Sequence, residues 1–119
     1  MGAAELLNVS DYERVAEERL DPASYGYFAG GANDEWTLRE NVAAFGRWVL
    51  RPRVLIDVSA LTGATTVLGT EVSFPVLVAP MAFQGLAHPD GERAMARGAA
   101  AAGTVMCLST LSTVGLEEA

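Results

Sequence analysis

The hydrophobic positions of this chain change their period near Pro52. Before it they recur every three or four residues, and after it they fall into short runs. Ser10 followed by Glu13 predicts a capping box, in which each side chain satisfies a backbone N–H at the start of a helix. Tyr12, Val15, Ala16 and Leu20 then share one face, and Asp21-Pro22 ends the helix. The same dipeptide predicts a second start, with Asp21 as cap and Pro22 at the first position, where the missing N–H would lack a partner anyway. This second helix carries Tyr25, Tyr27 and Phe28 until Gly30-Gly31 stops it. Asn33 or Asp34 is placed to cap a third, whose Leu38, Val42 and Phe45 lie on one side.

Beyond Pro52 the short runs read as β segments. Residues 65–68 and 71–74 flank Gly69-Thr70, and Gly at the first turn position predicts a type II′ hairpin. Val76-Leu77-Val78-Ala79 lies between Pro75 and Pro80 and is apolar on both faces, as a parallel strand covered on both sides reads. Residues 91–102 form an Ala-rich helix with Gly103 as its stop, and Pro89 is tolerable in the first turn. Thr104-Val105-Met106-Cys107-Leu108 repeats the apolar strand, and Ser112 or Thr113 is expected to cap a further helix entered at Leu116-Glu117-Glu118. The class is α/β: amino-terminal helices over 1–50, a hairpin region over 51–74, and a right-handed βαβ unit with the start of another helix over 75–119. Two parallel strands alone leave their edges bare and the last element is unfinished, so the sequence reads as truncated.

Composition narrows the partners. With 119 residues, 50% hydrophobic and 19% charged, the chain is globular and long enough for one domain. A net charge of −7 argues against nucleic acid and against an anionic membrane surface, because both need clustered Lys and Arg. The lone Cys107 excludes an internal disulfide and fits a reducing compartment. Met1-Gly2-Ala3-Ala4-Glu5 has no basic leader region, Leu6 stands where a myristoylation site needs Ser or Thr, and residues 75–83 are too short to span a bilayer. A soluble cytoplasmic protein with no transmembrane segment is expected.

In parallel α/β folds, ligands gather at the carboxyl ends of the strands. Candidate chemistry therefore lies in residues 79–84, where backbone groups sit beside small side chains, and in 109–113, which are rich in hydroxyls. The other conspicuous residues read as structural. His88 stands at the mouth of a helix, and Cys107 reads as a small buried hydrophobe inside a strand. Gly30-Gly31 reads as a helix stop, Asp34-Glu35 as capping acids, Arg47, Arg51 and Arg53 as surface cations, and Trp36 and Trp48 as packing residues. No metal ligand set is expected.

Tyr25-Gly26-Tyr27-Phe28-Ala29-Gly30-Gly31-Ala32-Asn33-Asp34-Glu35-Trp36-Thr37-Leu38 resembles the opening signature of the FMN-dependent α-hydroxy acid oxidases and dehydrogenases. That family includes glycolate oxidase, lactate oxidase and mandelate dehydrogenase. Asn41-Val42-Ala43-Ala44-Phe45, Arg51-Pro52-Arg53-Val54-Leu55, Pro75-Val76-Leu77-Val78-Ala79-Pro80, Ala87-His88-Pro89-Asp90-Gly91-Glu92 and Leu108-Ser109-Thr110 continue the resemblance in one register. It implies the amino-terminal part of a TIM (β/α)8 barrel, with preceding helices and a β-hairpin, truncated after the second barrel strand. It also implies FMN as cofactor and oxidation of a small L-2-hydroxy acid to the 2-oxo acid by hydride transfer. Tyr27 matches the tyrosine that binds the substrate carboxylate; Pro80, Met81 and Ala82 match the loop whose backbone faces the flavin; Ser109 matches a residue that hydrogen-bonds the polar edge of the ring. The family's histidine base and carboxylate-clamping arginines belong to later strands, so this stretch alone is expected to be inactive. The whole protein is expected to be a homo-oligomer, a tetramer or an octamer. Leu111 stands where the glycolate oxidase pattern has a tryptophan, and Met81 and Phe83 replace a smaller polar residue and a methionine. These departures keep open a related FMN barrel acting on a bulkier or biosynthetic substrate. A non-catalytic fragment is the remaining alternative.

Overall fold

A computed structural model of the chain describes residues 6–119; the expectation that residues 1–5 carry no leader or lipid signal lies outside them. Contacts divide the chain into two units, Met1–Val54 and Leu55–Ala119.

In the first unit, helix α1 spans Val9–Arg19 and is capped by Asn8, not by Ser10. The Asn8 side chain accepts the Asp11 N–H at 3.1 Å, while the Asp11 carboxylate accepts the N–H groups of Leu7 and Asn8. A capping box does form, two residues earlier than expected, because Asp11 can reach back over three residues from the first turn. Those bonds and Arg14, whose own hydrogen bond to Asp11 has the largest effect, hold the Asp11 carboxyl below the usual carboxylate range. Helix α2, Pro22–Ala29, starts as expected: the Asp21 carboxylate accepts from Ala23 and Ser24, and Pro22 takes the first position. It ends at Gly30, whose N–H donates to the Gly26 carbonyl at 3.0 Å. Helix α3, Trp36–Ala43, is preceded by Glu35 at φ 55° and has no side-chain cap, so neither Asn33 nor Asp34 fills that role. The Glu35 carboxylate instead accepts the Gly31 N–H at 3.1 Å and closes the loop behind the helix. A 3-10 turn, Ala44–Arg47, follows, and Arg47 pairs with Glu40.

In the second unit, strands β1 (Thr65–Val67) and β2 (Thr70–Val72) pair antiparallel, with Val67 opposite Thr70 and Thr65 opposite Val72. The turn is therefore Leu68-Gly69, one residue earlier than expected. Both residues have positive φ, 50° and 81°, which is the signature of a type I′ turn and not of type II′. The register decides which side chains face inward, and it buries Val72 to 3% exposure. Helix α4, Gly91–Ala101, ends as expected at Gly103, which turns at φ 70° and donates to the Ala100 carbonyl.

The two expected parallel strands shrink to one parallel bridge, Val78 with Met106. The Val78 N–H donates to Val105 at 3.0 Å, and the Cys107 N–H donates to Val78 at 2.9 Å. Their direction is the expected one, but their length is not. A strand with a neighbour on one side only has half of its ladder to hold it straight. Val76 and Leu77 remain 61% and 37% exposed, and Cys107, expected to be buried, is exposed for the same reason. Trp36 and Trp48, expected to pack, are 67% and 83% exposed. The expected cap at Ser112 or Thr113 does not form either. The last turn is a short 3-10 helix, Leu116–Glu118, that opens at Gly115. Among the described residues no helix is long and apolar enough to cross a membrane.

Candidate functional site

The bridge sets two chain segments side by side, pointing the same way. Residues 78 to 83 and 106 to 111 then advance in step, because the Phe83 N–H donates to the Leu111 carbonyl at 3.0 Å, five residues beyond the bridge on both segments. Pro80, Met81 and Ala82 thus leave one strand beside Ser109, which leaves the other. Pro80 and Met81 are exposed, and Ala82 and Ser109 are half-buried. Ser109 Oγ accepts the Leu111 N–H at 3.1 Å, and accepting does not use its hydroxyl proton. The N–H groups of Met81 and Ala82 take no part in the hydrogen bonds that join the two exits.

Behind these exits lies a carboxylate that the sequence reading had treated only as part of a motif. Glu92, in the first turn of α4, is fully buried. Its Oε1 accepts the Gln84 N–H at 3.2 Å and the Thr113 N–H at 2.9 Å, and its Oε2 accepts the Thr113 hydroxyl. Thr113 Oγ1 accepts the Gly85 N–H in turn, at 3.2 Å. Burial pushes the Glu92 carboxyl up, but the hydrogen bonds from Thr113 and Gln84 outweigh it and hold the group down at about 2. A glutamate near a helix start reads from sequence as a dipole partner. Only its long-range donors reveal the other role.

Tyr27 belongs to the other unit. It lies on α2, 51% exposed, with its ring set edge-on to Phe28 at 5.2 Å between centroids. His88 is exposed, and its Nδ1 accepts the Asp90 N–H at 3.1 Å, which is the structural role expected at a helix mouth. A cleft of about 510 Å³ lies between the hairpin and Gly103 and touches neither strand exit. We place the site at the exits nonetheless, because convergent polar groups and not volume define chemistry.

The model of the FMN-dependent dehydrogenase family matches residues 16–119, most of the chain. The chain belongs to the FMN-dependent dehydrogenase family. Among curated relatives of this FMN-dependent dehydrogenase chain, glycolate oxidase 1 of Zea mays is 54% identical over 114 residues, 96% of this chain and 31% of the relative. Glycolate oxidase of Spinacia oleracea is 50% identical over the same share. The chain thus spans about a third of the length of the relatives it matches, 31%. Among solved structures, a lactate oxidase of Pediococcus acidilactici superposes with a TM-score of 0.90 at 41% identity, over 97% of this chain and 32% of that one. A soluble mutant of the (S)-mandelate dehydrogenase of Pseudomonas putida gives 0.89 at 38% identity, over 96% and 32%. The fold is that of part of a βα barrel, as expected.

The groups at the exits fit a flavin. Small side chains at Ala79 and Ala82 admit a flat ring, Ser109 has a proton to give to a ring carbonyl, and two backbone N–H groups lie alongside.

Proposed function

We propose that the protein carrying this chain oxidises a small L-2-hydroxy acid to the 2-oxo acid with FMN, and that this chain forms the amino-terminal portion of its barrel, up to the second barrel strand. The parallel alignment of the two strand exits supports this reading most directly. When bound, FMN supplies the hydride acceptor. In this proposal the backbone of Pro80, Met81 and Ala82 lies along the ring and excludes water from it. Ser109 donates its hydroxyl to the polar edge of the ring. Tyr27 donates its phenol proton to the substrate carboxylate, holding the acid while its ring supplies an apolar wall. The proton of the substrate hydroxyl is left to a base outside this chain. A cytoplasmic homo-oligomer goes with the proposal.

The test is a spectrum. The purified protein should be yellow, with FMN in stoichiometric amount, and should bleach anaerobically on mixing with glycolate, L-lactate or (S)-mandelate. A colourless protein, or one bleached by none of the three, refutes the proposal. Leu111 in place of a tryptophan favours the larger acids in that comparison.

A further inference from the structure

Glu92 has both carboxylate oxygens committed to groups outside its own helix. Its donors come from Gln84, in the loop after the first strand, and from Thr113, in the loop after the second. Nothing in the stability of α4 requires this, since an exposed acid serves a helix start equally well. Taking a carboxylate out of water carries a penalty that hydrogen bonding must offset, and here each carboxylate oxygen has a donor. The backbone around it is shaped to let the loops approach. A Cβ on Gly91 would lie 3.0 Å from the Gly85 nitrogen, and one on Gly85 would lie 2.8 Å from Thr113 Oγ1. Two glycines, a buried acid and a threonine thus form one device, with a side chain too many at either glycine.

We propose that Glu92 is a positioning residue for the cofactor wall, joining the loop after the first strand to the loop after the second. The two loops are tied at both ends. The Val78–Met106 bridge holds them at the strand side, and Glu92 with Thr113 holds them at the far side. Pro80, Met81, Ala82 and Ser109 lie between these ties, so their spacing is set before any ligand arrives. A carboxylate suits this task better than an amide, because it accepts from every direction and strengthens each bond by its charge. The inference rests on the FMN reading above, and it adds a group that touches neither cofactor nor substrate.

The decisive experiment uses the whole protein carrying this chain: FMN titration of its apoprotein by fluorescence quenching, with visible circular dichroism of the bound flavin, for the parent, Glu92→Gln, Thr113→Val and Thr113→Ser. All four are read at a temperature where far-ultraviolet dichroism shows them folded. Glu92→Gln and Thr113→Val should each bind FMN about tenfold more weakly, the scale of one charge-assisted hydrogen bond lost from a preorganised wall. The dichroism of the bound flavin should change with them. Thr113→Ser keeps the hydroxyl and should restore both readouts. Should Glu92→Gln unfold, the Thr113→Val and Thr113→Ser pair decides the same question. A parent that binds FMN and variants that match it in affinity and dichroism overturn the positioning role alone. A parent that binds no FMN overturns the proposed function, and this inference with it.

Discussion

Replacing Gly103 by alanine attacks the joint on which the carboxy-terminal unit turns. Gly103 ends α4 at φ 70°, and its carbonyl accepts the Ser73 N–H at 2.8 Å, tying the end of the helix to the residue after β2. Two penalties follow from a Cβ there. The left-handed backbone costs an L-residue about 1–2 kcal/mol. The new carbon would also stand 2.2 Å from Ser73 Oγ and 3.1 Å from Ser73 Cβ, so rotation of the hydroxyl relieves the first contact and not the second. Overpacking of this kind costs about 1–3 kcal/mol, and the sum for Gly103→Ala is about 2–5 kcal/mol. A double-mutant cycle with Ser73→Gly separates the parts. The contact term vanishes in the double variant while the backbone term stays, giving a coupling of about 1–3 kcal/mol. Urea unfolding followed by the helical circular dichroism signal measures all four corners. A Gly103→Ala variant within about 0.5 kcal/mol of the parent would refute the backbone reasoning. A coupling near zero would refute the steric part.

Three further outcomes are expected. The Glu92 carboxyl is held at about 2 in the folded chain against 4.5 ordinarily, so its stabilisation is complete above 4.5 and is lost as pH falls toward 2. Urea midpoints taken from neutral pH downward should therefore fall more steeply for the parent than for Glu92→Gln, and parallel curves would contradict the hydrogen bonding from Thr113 and Gln84 that holds the carboxyl down. Leu68→Asn should stabilise the hairpin by about 0.5–1 kcal/mol, since the type I′ turn favours Asn before Gly and the exposed leucine contributes no burial; a thermal midpoint that is unchanged or lower speaks against it. In the flavin-loaded protein, Tyr27→Phe should raise KM about tenfold, the loss of one hydrogen bond to an anion, and leave the flavin content intact. An unaltered KM would remove Tyr27 from the substrate site.

How much was legible in advance follows the distance over which each feature is decided. The start and end of α2 were readable because Asp21, Pro22 and Gly30 act within one turn of themselves. The Gly103 stop was readable for the same reason. The cap of α1 was misplaced because Ser10-Glu13 and Asn8-Asp11 present the same spacing, and a string of letters does not rank two competing local partners. The hairpin was recognised and its turn missed by one residue. Leu68 gave no sign that it would accept a left-handed backbone, which the pairing of Val67 with Thr70 imposes on it. The positions at the strand exits were legible through the family signature. Glu92 was not, because its partners lie 8 and 21 residues away.

The amino-acid sequence by itself determined the order of the elements, the direction of the two apolar segments and the family to which the chain belongs. Each of these follows from periodicity, capping chemistry or a run of motifs, all of which operate between near neighbours or in fixed order. The tertiary structure alone decided which residues were removed from water. It buried Glu92 and Val72, and it left Cys107, Trp48 and most of the first apolar segment exposed. Burial depends on what distant parts of the chain bring to a given point. A carboxylate becomes a tie between two loops only when folding delivers its donors and no water competes for it.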